Sequence, residues 1–374
     1  MCPVEITWEQ TRAFRLARLH VSEQLGPRSL RKVARDIGGV HAQVASAGEL
    51  VFAVRAPGLA PRAISRALWE RRTLVKTWAM RGTLHYIEAD DFPIWAAAAR
   101  TRNAWRRPSW ERAFKIKVAE VEATLEAIPD VLDGRRLTRV ELADGLYEHL
   151  RSDAVDRRVR SGWGELLKIA ASHGLICFGP NEGRNVTFVR PDQWLQSWEQ
   201  FETDEAIAEV CRRYLASHGP ATREEFARWW GFFPPDARRT LESLGDEIVQ
   251  VDRAGDKAFA RTRDLDEMRR GSEDQEVRLL GMFDPYTLAG LPHDAIVPKA
   301  MKDKVYRPGA WVSQVVLVGG RVAGTWTHAS SKRGSTIAEV APFEVLTRSQ
   351  KRAVRERLAT LQPYIGEMGS VSFV

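Results

Sequence analysis

The chain has little cysteine and no long hydrophobic run. Its three thiols, Cys2, Cys177 and Cys211, are odd in number and far apart, so they suggest neither a disulfide framework nor a zinc site. No apolar stretch reaches the length needed to span a bilayer. The opening MCPVEITWEQ brings acids at once in place of the apolar core of a signal peptide. The expectation is a protein of the reducing cytoplasm, associated with the nucleoid and without a membrane partner. Also missing are a glycine-rich phosphate loop, a helix-borne histidine pair for zinc and a nucleophile elbow. Those absences weigh against nucleotide hydrolysis, metal-dependent chemistry and serine-hydrolase chemistry, and no metal or cofactor is expected.

What is present is a globular balance. The 374 residues are 44% apolar and 28% charged, which leaves no room for extensive disorder and suits two to four modules. Lys and Arg outnumber Asp and Glu by 56 to 49, a net charge of +7, and Arg dominates the basic set. A basic excess favours a polyanionic partner, and guanidinium forks suit phosphates and guanine edges. An arginine-rich codon bias would give the same numbers, so charge alone leaves both readings open.

One short pattern occurs twice. Thr138-Arg139-Val140-Glu141-Leu142-Ala143 is echoed by Thr222-Arg223-Glu224-Glu225-Phe226-Ala227. In each copy a Thr stands three residues before a Glu, the reciprocal arrangement that opens a helix by satisfying its orphan amides. Each copy is followed by a second helical stretch and two short apolar runs around a polar, Gly-containing turn. Helix, turn, helix and hairpin in that order describe a winged helix, and its repetition points to a nucleic-acid-binding protein.

The same grammar extends to both ends. Thr7 to Gln10 reads as a capping box opening a helix to about His20. Further helices are expected over 30–36 and from Pro61 to Arg72, then a hairpin of 74–78 and 83–87 around Arg81-Gly82. Long helices should follow over 91–107 and 108–127. In the second unit the candidate recognition helix is 162–172, with a wing of 175–178 and 186–189; in the third, helices 224–230 and 235–244 precede a wing of 248–251 and 257–260. Beyond Glu276, strands 278–282, 311–318, 321–327 and 336–342 alternate with Gly and Pro, Gly319-Gly320 makes a tight hairpin, and a helix spans 349–361. The expected modules are a first winged helix with connecting helices (1–130), a second (131–202), a third (203–275) and a β-rich domain (276–374), a helix-dominated α+β architecture.

Several residues are candidates for chemistry. Gly38-Gly39-Val40-His41-Ala42-Gln43 follows the second helix. Glycine permits a positive φ or a close backbone approach, and in an extended segment His41 and Gln43 point the same way. A neutral imidazole accepts a proton near neutral pH, and an amide can orient water uncharged; equally, His41 could cap a helix while Gln43 bonds backbone. Arg71, Arg72, Lys76 and Arg81 lie at the end of the first recognition helix and on its wing. Arg102, Arg106 and Arg107 interleave with Trp105 and Trp110, and Arg157, Arg158 and Arg160 precede the second recognition helix. Ser330-Ser331-Lys332-Arg333-Gly334 forms a basic loop shaped to enter a groove. Each cluster could also be a solvated face. Asp284, before Pro285, is either a spare carboxylate or a turn former; His85 reads as a satisfied core histidine, and the thirteen tryptophans as core and hairpin packing.

With these units, the stretch Arg81-Gly82-Thr83-Leu84-His85, the block Phe283-Asp284-Pro285-Tyr286-Thr287-Leu288 and the run Gly320-Arg321-Val322-Ala323-Gly324-Thr325-Trp326, the chain resembles, over essentially its full length, the AlkZ-type DNA glycosylases of the YcaQ-like superfamily. The resemblance implies a C-shaped channel for duplex DNA and removal of alkylated bases, including bulky and interstrand-crosslinking adducts. The family's catalytic signature, Gln, an apolar residue, then Gln or Asp, falls on His41-Ala42-Gln43. Gln43 matches, while His41 departs from the commonest first residue and resembles a subgroup associated with self-resistance to large intercalating alkylators. The implied enzyme is a monofunctional, monomeric glycosylase acting on N7-alkylguanine-type lesions in double-stranded DNA for base excision repair. A non-catalytic winged-helix transcriptional regulator is the alternative, although no dimerisation segment is evident; a damage sensor without catalysis is a third.

Overall fold

The computed structural model describes residues 4–289, 292–331 and 334–374, and several of its helices open on side-chain caps. Thr7, Thr138 and Thr347 each close a reciprocal capping box, opening helices Trp8–Arg18, Arg139–Leu150 and Arg348–Ile365. At Thr222 the same exchange runs through Glu225, whose carboxylate accepts from the Thr222 amide at 3.0 Å. The described residues form a mixed α/β protein with several small sheets and no barrel, grouped into two compact units. One gathers the chain up to Ile64 with Cys211–Trp229 and Phe233–Val374; the other gathers Ser65–Val210 with Trp230–Phe232.

In the Ser65–Val210 unit, the hairpin Leu74–Trp78 and Leu84–Glu88 forms as expected, with Val75 opposite Ile87. The long helices on either side of Pro108 do not form as drawn. Helix Phe92–Ala99 ends with its alanine run, and the Thr101 hydroxyl bonds back to Ala98 O at 2.6 Å. Hydroxyl and amide side chains offer the backbone such alternatives to helix. The next stretch splits into Pro108–Phe114 and Val118–Val131 because Lys115 takes a left-handed φ of +50°. Helices Arg139–Leu150, Asp153–Arg160 and Glu165–Ser172 precede the wing Cys177–Glu182 and Asn185–Val189. The recognition helix begins at Glu165 rather than Gly162, since Gly164 caps it at φ +65° beneath Trp78. The Trp78 indole meets Phe178 and Phe188 at centroid distances of 4.6 and 6.1 Å, joining the first wing to the second.

The other unit contains a helix absent from the sequence reading, Ala45–Arg55, buried along most of its length. Its residues are apolar almost all round, so no amphipathic period marks it. Helix Arg223–Trp230 and helix Pro234–Ser243 lead to the wing Ile248–Arg253 and Asp256–Arg261. Val4–Ile6 extends this wing in parallel, Val4 opposite Val251. Beneath it Glu225 grips the buried Arg253 with two 2.8 Å bonds, so one glutamate both starts a helix and anchors a strand. The C-terminal sheet has the strand order Val277–Leu280, Val315–Val318, Arg321–Ser330, Thr336–Pro342, Met368–Phe373. The last strand, parallel to its neighbour, was not expected. Nor was the interruption that leaves Trp311–Val312 paired with Tyr306–Arg307. Gly319 and Gly320, both at positive φ, make the hairpin turn, and Tyr286 donates its hydroxyl to Gly320 O at 2.6 Å.

Candidate active site

Gly38 and Gly39 take φ values of +73° and +98°, which turn the chain sharply out of helix Leu30–Asp36. L-residues with a Cβ rarely adopt such backbone, so the glycine pair is a geometric requirement here. The chain then extends through Val40–His41 and bends at Gln43 before helix Ala45–Arg55. His41 is 6% exposed, whereas Gln43 faces solvent two residues on, with Ala42 buried between them. An imidazole set into the protein and an amide at its surface thus lie within one short turn.

The imidazole rests on Phe283, ring centroids 4.6 Å apart and planes tilted by 31°. On Phe283 in turn stands Trp311, edge to face at 5.1 Å and 39% exposed. Phe283 has a left-handed φ of +56°, uncommon for a bulky side chain. The residue after it is locked: Asp284 is fully buried and receives two hydrogen bonds from Arg55, at 2.7 and 2.9 Å. Asp284 also accepts from the Tyr286 amide at 2.9 Å, capping the turn Pro285–Leu288. The sequence offered Asp284 as a spare carboxylate or a turn former; it is the turn former and an ion-pair partner as well. Arg55 was missed with its helix. A lone arginine closing the apolar run Leu50–Arg55 is the signal that could have found it, since a buried guanidinium needs a carboxylate.

The candidate DNA contacts occupy several environments. Arg71 is exposed in a bend beyond helix Arg62–Trp69, which ends short of the Arg71-Arg72 expected from sequence. Arg72 lies over the Trp194 ring at 3.7 Å and donates to Trp194 O at 3.2 Å, so much of its bonding is internal. Lys76 sits over Phe178, and burial lowers its ammonium pKa. Arg81 marks the wing turn at φ +54°; its surface is open to solvent, yet enough protein crowds it that desolvation lowers its pKa. Arg106 pairs with Glu122 at 2.5 Å and covers Trp105, while Arg107 is exposed ahead of helix Pro108–Phe114. Arg102 donates to Ala79 O at 2.6 Å and stacks over Trp230, and burial brings its pKa down to about 10. Arg160, grouped with Arg157 and Arg158 by sequence, is tied to Asp144 and Asp156. Ser331 closes the turn between Arg321–Ser330 and Thr336–Pro342 through its amide and hydroxyl to Ser335. Lys332 and Arg333 lie outside the described residues, as does Cys2. His85 is buried, its Nδ1 2.9 Å from Thr83 O.

Among the described residues no cluster of three or more His, Cys, Asp or Glu is arranged to hold a metal, and no helix is long and apolar enough to cross a membrane. Cys177 and Cys211 are buried free thiols whose pKa burial raises.

Comparison with known proteins defines the class. The family model described as DNA glycosylase AlkZ-like matches residues 34–364, a span that includes His41, Gln43, Phe283 and Trp311. An interstrand DNA cross-link repair glycosylase from Streptomyces sahachiroi is 34% identical over 362 residues, covering 95% of this chain and 96% of the relative. The solved structure of the Streptomyces sahachiroi DNA glycosylase AlkZ superposes with a TM-score of 0.90 at 33% identity, covering 99% of this chain and all of that one. The protein is therefore an enzyme, a DNA glycosylase, and this reading is favoured over the regulator. The chain belongs to the AlkZ-like DNA glycosylase family.

Proposed function

We propose that this enzyme hydrolyses the N-glycosidic bond of N7-alkylated purines in duplex DNA, with His41 and Gln43 as its catalytic pair. The observation that carries the reading is their placement on one turn: a buried imidazole braced by an aromatic ring and an exposed amide two residues later. The family match over this segment supports it.

An N7-alkylated guanine carries a positive charge on its ring, so it departs with little acid assistance. The demand falls on the sugar side, where an oxocarbenium-like carbon must meet water. Water oxygen bonds to C1′ as the C1′–N9 bond breaks, and that bonding pair leaves with the base, neutralising its charge. The water's proton passes to the His41 imidazole, while the Gln43 amide orients the water or bonds the adjacent sugar-phosphate. Neither residue can form a Schiff base, so the product is an abasic site with the strand intact.

The relative's name ties it to interstrand cross-links, and bulky adducts of that type, including those met in self-resistance, are the substrates we assign here. Exposed Arg71, Arg81 and Arg107 would contact phosphates, and the basic segment Ser330–Gly334 would probe a groove. The test is incubation with duplex containing one N7-alkylguanine. Free modified base and strands that break only on alkali treatment are expected. Tight binding without base release would mark a damage sensor instead.

A further inference from the structure

We propose that Phe283 is a positioning residue for the reaction, holding the His41 ring in the plane from which it takes the water's proton; this rests on the catalytic reading of His41. Three observations converge on Phe283. Its ring packs against the imidazole, centroids 4.6 Å apart and planes tilted by 31°. Its backbone stands at φ +56°, and non-glycine residues persist in sparsely populated conformations only where the surroundings over-determine them. The surroundings do so on both sides. Its amide donates to Val312 O at 3.4 Å, and Trp311 packs edge to face with its ring at 5.1 Å. The following residue, Asp284, is fixed by the fully buried Arg55.

Arg55 also ends helix Ala45–Arg55, which begins two residues after Gln43. The ion pair thus ties the segment carrying the histidine and amide to the loop carrying the aromatic brace. An aromatic ring packed against an imidazole resists rotation of that imidazole about its Cβ–Cγ bond. Small losses of such alignment are costly to a reaction that needs a water, a base and a carbon in register.

The experiment compares Phe283→Leu, Phe283→Gly and Phe283→Tyr with the unaltered enzyme under single-turnover conditions, on duplex holding one N7-methylguanine. Glycine suits the left-handed backbone, so Phe283→Gly relieves strain while removing the ring and keeps the test valid should the leucine variant fold poorly. Leucine and glycine should each slow base release by roughly 10-fold or more, with DNA affinity unchanged within about twofold, and tyrosine should restore the rate. The His41 ring-proton resonances should shift in the leucine and glycine variants through loss of the neighbouring ring current. Full rates in both variants, alongside a His41→Ala enzyme that is inactive, would overturn the positioning role and leave the catalytic reading intact. A fully active His41→Ala enzyme would overturn both.

Discussion

The guanidinium of Arg55 meets the carboxylate of Asp284 with both side chains fully buried and two hydrogen bonds between them. Such a pair is held by geometry rather than by net electrostatic gain, because each ion has surrendered its hydration. Removing one partner is therefore the sensitive perturbation. Arg55→Ala leaves an uncompensated carboxylate and should cost about 3–5 kcal/mol. Arg55→Met combined with Asp284→Leu should cost less. Urea denaturation of the three proteins checks the order, and a double variant as unstable as Arg55→Ala would contradict it.

Glu225 has two duties, and the difference between them is measurable. Thr222→Ala removes only the helix cap and should cost about 1 kcal/mol. Glu225→Ala also removes the two 2.8 Å bonds that hold the buried Arg253, leaving it Asp256 at 3.3 Å and Pro220 O, and should cost roughly 3 kcal/mol. Equal losses in thermal unfolding would show that the strand anchor contributes nothing.

Acid should weaken the fold through His218. Burial first, then the charges of Arg15 and Arg55, push its pKa down to about 3 from the ordinary 6.5. The ring lies parallel to Tyr214, and Nδ1 is 2.8 Å from the Ser217 hydroxyl. Above the ordinary value both folded and unfolded states are neutral, and no linkage exists. Between that value and about 3 the unfolded chain binds a proton that the folded one refuses, so stability falls as pH falls. His218→Gln should flatten the stability difference across pH 7 to 4. An unchanged slope would show that His218 is protonated in the native state.

Adjacent arginines should separate in their roles. Arg71 is exposed, and Arg71→Ala should weaken DNA binding and reduce the slope of log affinity against log salt by about 1. Arg72 is engaged with Trp194, so Arg72→Ala should lower stability by about 1 kcal/mol and leave the salt slope nearly unchanged. Affinity titrations at several salt concentrations, with melting curves, distinguish the two.

The legible parts of the chain were those with local physical causes. Thr–Glu and Thr–Gln reciprocity fixed helix starts at Thr7 and Thr138, and Gly319-Gly320 announced a hairpin. The wings were readable as short apolar runs on either side of a polar, Gly-containing turn. Helix Ala45–Arg55 was not, because burial on nearly all sides erases its period. The strands Val4–Ile6 and Met368–Phe373 were also hidden, since each gains its place from a partner remote in sequence. At the site, His41 and Gln43 were visible as residue types, but the brace was not. Phe283 reads as an ordinary core aromatic until its backbone angle and its contact with His41 are known.

The most direct measurement is single-turnover release of N7-methylguanine from duplex DNA by the unaltered enzyme, His41→Ala and Gln43→Ala, with DNA affinity measured in parallel. Each substitution should slow release by roughly 10²-fold while binding stays within about twofold, and the unaltered enzyme should leave alkali-labile abasic sites. Release at the unaltered rate from both variants would show that the imidazole and amide only shape the turn, and that another part of the molecule activates the water.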